Sequence, residues 1–281
     1  MTEATTPAPG ASGPDDVPDI VSRVPHPARI WDYLLGGFAN FAADREAAEK
    51  VAAVAPGGLE TARAIVQANR RFLGRAVRYL TDEAGIRQFL DIGTGVPTEG
   101  NTHEVAQAEA PESRVVYVDN DPIVLALARS LLRSTPEGAT AYLSGDLRQP
   151  EDILDRARET LDFDRPIALM LVAVLHLIGE DEDAHGIVAR LVDGLAPGSY
   201  LVVSCLASDI EPARMAEAAG RHDRLVQRDL VLRSYDDLGR FFAGLDLVEP
   251  GIVPVHRWRR SSGPPEGAPE VPIYGAVGRK P

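Results

Sequence analysis

Cys205 is the only cysteine, so the chain can form neither an internal disulfide nor a cysteine-based zinc cluster. A buried, inert thiol is the expectation there. No stretch approaches the roughly 18 to 20 uninterrupted apolar residues of a membrane helix, and the acidic, proline-containing N-terminus has neither the basic nor the apolar region of a signal peptide. A cytoplasmic location is expected, with no membrane partner. Basic charge is scarce: 29 Lys and Arg against 42 Asp and Glu give a net charge of −13, which disfavours attachment to a phosphate backbone. Nucleic acid therefore falls out of the substrate list. The densest basic group, Arg257, Arg259 and Arg260 around Trp258, reads as a solvated loop with one buried aromatic. No HExxH or comparable ligand spacing occurs, so no metal site is expected.

What is present suffices for a full core: 281 residues, 44% of them hydrophobic. Residues 1–24 carry almost no large apolar side chains and are expected to form a disordered tail. Residues 25–84 read as a helical segment and 85–281 as the core. Ala28, Ile30, Trp31, Tyr33, Leu34 and Leu35 before Gly36-Gly37 suggest a short helix that stops at the glycines. A second helix is expected to include Asp44 to Val54. Between Leu59 and Leu80, apolar residues recur at three- and four-residue steps, with Arg70, Arg71, Arg75 and Arg78 largely between them, as in a core-facing helix with a basic outer face.

From there short apolar runs alternate with helical patterns, the signature of βαβ units and a mostly parallel, doubly wound α/β sheet. The expected strands are Gln88 to Ile92, Arg114 to Val118, Ala139 to Leu143, Pro166 to Leu171 and Tyr200 to Ser204, with Pro122 to Ser134, Asp152 to Thr160 and Asp183 to Leu195 as intervening helices. Another helical region comes after Pro212, then a helix from Ser234 to Ala243. Leu245 to Val248, Val253 to Trp258 and Ile273 to Val277 read as closing strands, with Ser261 to Pro269 a loop between the last two.

The first strand runs into Asp91-Ile92-Gly93-Thr94-Gly95. Two glycines let a backbone approach a nucleotide closely. A dinucleotide fingerprint would place a third glycine where Thr98 stands, after Val96-Pro97, so that pattern is broken. A carboxylate in the turn would repel a pyrophosphate but suits a ligand carrying an ammonium and a sulfonium. Asp91 therefore argues for S-adenosyl-L-methionine. The second strand ends at Asp119, whose carboxylate can accept from both ribose hydroxyls. After the third come Gly145-Asp146-Leu147: Asp146 can accept from an adenine amino group, with Leu147 and Asn120 lining the base. Singly, Asp119 and Asp146 could be no more than helix caps. Three acids at three successive strand ends, however, converge on the crevice where open α/β sheets bind ligands.

These residues resemble class I methyltransferases. The fuller strings Asp91-Ile-Gly-Thr-Gly-Val-Pro-Thr-Glu-Gly-Asn-Thr-His-Glu-Val-Ala106 and Trp31-Asp-Tyr-Leu-Leu-Gly-Gly37 are similar to a bacterial family called S-adenosyl methyltransferase. The resemblance implies a Rossmann-like class I methyltransferase fold with an antiparallel closing strand. It further implies that the N-terminal helices form a lid over the cofactor, which makes Tyr33, Gly36 and Asn40 candidates to close the site. It names no acceptor; the acidic charge and acid-decorated strand ends favour a small molecule.

Methyl transfer needs alignment of donor and acceptor, and a base only if the acceptor must lose a proton. His176, just past the fourth strand, is the candidate base. His103 is expected to be structural, and His185 and His222 solvent-facing. Two rivals remain: a non-catalytic cofactor-binding regulator, and an NAD-dependent oxidoreductase, the latter disfavoured by the broken third glycine.

Overall fold

The computed structural model describes residues 22–260 and 270–281. The expectations for most of the N-terminal tail and for the loop Ser261 to Pro269 lie outside the described residues. Three helices come first, α1 (Pro27–Leu35), α2 (Ala42–Ala52) and α3 (Leu59–Asp82). After them come β1 (Gln88–Ile92), α4 (Thr102–Glu109), β2 (Arg114–Asp119), α5 (Pro122–Leu131), β3 (Ala139–Ser144), α6 (Pro150–Ala157), β4 (Ala168–Val172), α7 (Ala184–Asp193) and β5 (Tyr200–Leu206). The chain closes with α8 (Pro212–Val226), α9 (Tyr235–Arg240), β6 (Asp246–Leu247), β7 (Val253–Pro254) and β8 (Ile273–Arg279).

Local chemistry sets these boundaries. Pro27 occupies the first turn of α1, and Gly36 ends the helix in the left-handed conformation, φ +88°. Asp121 caps α5 by accepting from the Ile123 N–H at 2.8 Å, and Ser234 caps α9 through Asp237 N–H at 3.1 Å. The sheet order is β3-β2-β1-β4-β5-β8-β6, with β7 also on β8. The first five strands run parallel, and β8 lies antiparallel between β5 and the short β6 and β7. The expected strand Val253 to Trp258 shortens to two residues. Arg75 secures the turn after β7, donating to the carbonyls of Val255 and Trp258 (2.7 Å to the latter).

Strand residues alternate between two cores. Leu90, Ile92, Val116, Val118, Leu169 and Leu201 face α6, α7 and α9. Phe89, Val115, Tyr117, Met170 and Val202 face α3. Both faces are covered, as a parallel sheet requires. A third apolar cluster joins α1, α2 and the start of α3 to α8 through Ile30, Leu34, Ala47, Val66 and Val226. Chain order reverses direction across the sheet between β1 and β4, a switch point that opens a crevice at the strand C-termini. Among the described residues no helix is long and apolar enough to cross a membrane.

Candidate functional site

A cavity occupies that crevice. The strand ends bring Asp91, Gly93, Thr94, Gly95, Asp119, Asn120, Asp146, Leu147 and His176 together on its wall. Gly93 (φ +77°) and Gly95 (φ +69°) take left-handed conformations that favour glycine. A Cβ on Gly93 would sit 2.4 Å from Cγ2 of Val174, so only glycine lets the β4 loop close against the turn. The Gly95 N–H donates to Asp119 at 2.9 Å, and so does the Asp121 N–H. The glycine turn and the end of β2 are thereby locked as one unit.

Asp91 is 5% exposed. Burial raises its pKa to about 6, against the lowering effects of a 2.6 Å hydrogen bond from the Thr102 hydroxyl and of the Arg70 guanidinium. Burial likewise raises Asp119. Asp146 accepts from the Arg148 N–H at 3.0 Å, and Arg148 also pairs with Glu182. Four carboxylates line the cavity, Asp32, Asp91, Asp119 and Asp146, together with the guanidiniums of Arg70, Arg148 and Arg228; the three acids at the strand ends suit a hydroxyl-rich, cationic ligand. Among the described residues no group of His, Cys, Asp and Glu is placed to hold a metal ion.

The α1 helix does lie over the cavity, but through His26, Pro27, Ala28, Trp31, Asp32 and Leu35. Tyr33, Gly36 and Asn40 are not part of the wall. The Tyr33 hydroxyl donates to Glu49 at 2.9 Å, Gly36 caps the helix, and Asn40 acts one step removed, donating to Asp32 at 2.7 Å. Other expectations also need correcting. Arg70 is not on a basic outer face: it lines the cavity and donates to the Thr98 carbonyl at 3.1 Å and Asn101 Oδ1 at 3.0 Å. His222 is buried, not solvent-facing, and His185 stacks on Phe241. His103 bonds the Tyr117 hydroxyl at 2.7 Å, and burial pushes the Cys205 thiol up to about 12.

Sequence reasoning missed Trp31, Asn69 and Ser204. Asn69 lines the cavity and accepts from the Ser204 hydroxyl at 2.7 Å, while Ser204 accepts from the Ala173 N–H at 3.0 Å. Ala173 sits at φ +58° directly after β4, a strained conformation that this relay holds in place. The signal was a polar residue within the apolar stripe Val66, Asn69, Leu73, Ala76, Leu80 of α3.

The sequence profile described as S-adenosyl methyltransferase matches residues 15–281. The chain belongs to the S-adenosyl methyltransferase family. A DUF574 family protein from Streptomyces avermitilis is 46% identical, with a TM-score of 0.88 over 93% of this chain and 100% of the other. A Thermobifida fusca protein is 39% identical, with a TM-score of 0.85 over 95% and 99%. A SAM-dependent methyltransferase from Anabaena variabilis, 15% identical with a TM-score of 0.50 over 74% and 84%, shares the fold. No curated protein matches the chain. Family membership makes this S-adenosyl methyltransferase an S-adenosylmethionine-dependent enzyme and removes the oxidoreductase reading.

Proposed function

We propose that the cofactor lies along the strand ends in the order of the sheet, with Asp146 and Leu147 at the adenine, Asp119 at the ribose and Asp91 at the amino group, and that the acceptor is a small molecule. The observation that carries this reading is the convergence of three carboxylates from β1, β2 and β3 on one cavity at the switch point. S-adenosylmethionine supplies an electrophilic methyl group on a sulfonium. With the other three portions assigned to β3, β2 and β1, the methyl faces the end of β4, where Ala173, Val174 and His176 line the cavity.

The protein's own work is positioning and exclusion of water. Gly93 to Gly95 lets the backbone approach the cofactor. Asn69 and Ser204 fix the β4 loop, and α1 covers the crevice as part of a helical cover over residues 25–84. Burial lowers His176 to about 3, with His222 and Arg233 adding to the effect. At neutral pH His176 is therefore an uncharged hydrogen-bonding group and a weak base, so alignment provides most of the acceleration. The enzyme would act in the cytoplasm, in keeping with a lone reduced cysteine.

Calorimetric titration with S-adenosylhomocysteine tests the assignment. Wild type is expected to bind one equivalent, and Asp119→Ala to bind roughly 10- to 100-fold more weakly through loss of charge-assisted hydrogen bonds. Equal affinity in the variant would refute the ribose assignment.

A further inference from the structure

A second cavity lies within the cluster formed by α1, α2, the start of α3 and α8. It shares a wall with the first. Pro27, Trp31, Val66, His176 and Leu177 line both. At that wall the rings of Trp31 and His176 stack with centroids 6.2 Å apart and planes 20° apart. The rest of the lining is almost entirely apolar, with Ile30, Leu34, Ile65, Leu206, Met215 and Leu230 as its larger side chains. His222 and Arg214 are the other polar groups, and Arg214 is paired with Glu211. His176 is 1% exposed, and its Nδ1 has no hydrogen-bond partner. A buried nitrogen without a partner is costly unless something supplies one.

We infer that this second cavity is the acceptor chamber, and that it takes an uncharged, largely apolar phenol whose hydroxyl meets the imidazole of His176. The inference rests on the cofactor assignment above, which brings the reacting methyl to the β4 side of the shared wall. The apolar lining excludes a sugar or an amino acid, whose polar groups would be desolvated without partners. An ammonium acceptor would bring a buried charge beside Arg214. A flat aromatic ring suits a chamber walled by the stacked rings of Trp31 and His176, and a phenol, with a pKa of about 10, loses its proton more readily than an aliphatic alcohol as the bond forms. In that step an oxygen lone pair forms the bond to the methyl carbon as the C–S bond breaks and its electron pair returns to sulfur. The oxygen becomes strongly acidic as the C–O bond forms, so the imidazole of His176 takes its proton and gives it up to water that enters when the product leaves. The stacked Trp31 holds the imidazole plane against the wall, and the small residues Ala62 on α3 and Ala218 on α8 leave room for a ring.

The test is binding of β-naphthol to protein already saturated with S-adenosylhomocysteine, read by calorimetry, with cyclohexylammonium as the charged control. We expect β-naphthol to bind and cyclohexylammonium not to. Ala62→Trp and Ala218→Trp, which fill the chamber from α3 and from α8, are expected to abolish naphthol binding and leave S-adenosylhomocysteine affinity unchanged. His176→Phe keeps the ring stacked on Trp31 and is expected to weaken naphthol roughly 3- to 10-fold, the worth of one hydrogen bond. Naphthol binding that survives both tryptophans, or equal binding of the ammonium, overturns the inference. So does absence of naphthol binding in protein that binds S-adenosylhomocysteine, whereas failure of that first titration overturns the cofactor assignment itself.

Discussion

In the proposed assignment Asp91 sets the demands of the fold against those of the ligand. With its pKa raised from 3.8 to about 6, the folded state holds this proton more tightly than the unfolded chain. Its effect on stability is therefore favourable at low pH and is lost as pH rises from about 4 to about 6, a difference on the order of 3 kcal/mol. Asp91→Asn keeps an acceptor for Thr102 and removes the buried charge. In the ligand-free protein it is expected to raise the thermal midpoint at pH 7.5, while S-adenosylmethionine binds roughly 10- to 100-fold more weakly by calorimetry. In wild type the affinity is expected to fall as pH drops below about 6, where Asp91 takes up its proton. Asp91, Asp119 and Asp146 were legible because each ends an apolar run and opens a turn. Tyr33 was misplaced because α1 carries apolar and aromatic residues on two faces. Tyr33 is rotated by roughly 200° from Trp31 about the helix axis, so choosing Trp31 for the cavity turns Tyr33 outward.

The α1 helix is held down by charge as well as by packing. Arg29 bonds Asp44 of α2 at 2.9 Å and approaches Asp121, next to the end of β2, at 3.5 Å, with Arg29 3% and Asp44 0% exposed. Arg29→Ala would leave the Asp44 carboxylate buried without its cationic partner, held only by the N–H groups of His26 and Phe41, and a loss of roughly 3 kcal/mol is expected in urea unfolding. A loss below about 1 kcal/mol, the scale of a surface pair, would contradict this account of the cover. The helices themselves could be read from period and caps, since Gly36, Pro122 and Ser234 stand where the boundaries fall. The burial of His222 was also written in the stripe Met215, Ala219, His222, Val226. What the sequence could not supply was the partner element. The inner face of α8 meets α2, a contact distant in sequence, and Arg70 leaves its helix surface to reach the Thr98 to Asn101 loop.

At the scale of the whole molecule, the strand order β3-β2-β1-β4 converts chain order into a spatial sequence of functional groups. Acids stand at three adjacent strand ends, and the fourth end, at β4, carries a backbone loop and a neutral histidine. This arrangement is a consequence of the βαβ pattern and the right-handed crossovers of parallel strands, so the position of the crevice was legible before the structure. The second chamber was not, because it exists only where four helices from both ends of the chain meet. The most direct test of the central claim is a crystal structure of the complex with S-adenosylhomocysteine. Adenine is expected beside Asp146 and Leu147, ribose hydroxyls on Asp119, the amino group toward Asp91, and sulfur facing Trp31 and His176. Adenine at the β4 end, or ligand bound away from the three carboxylates, would contradict that claim.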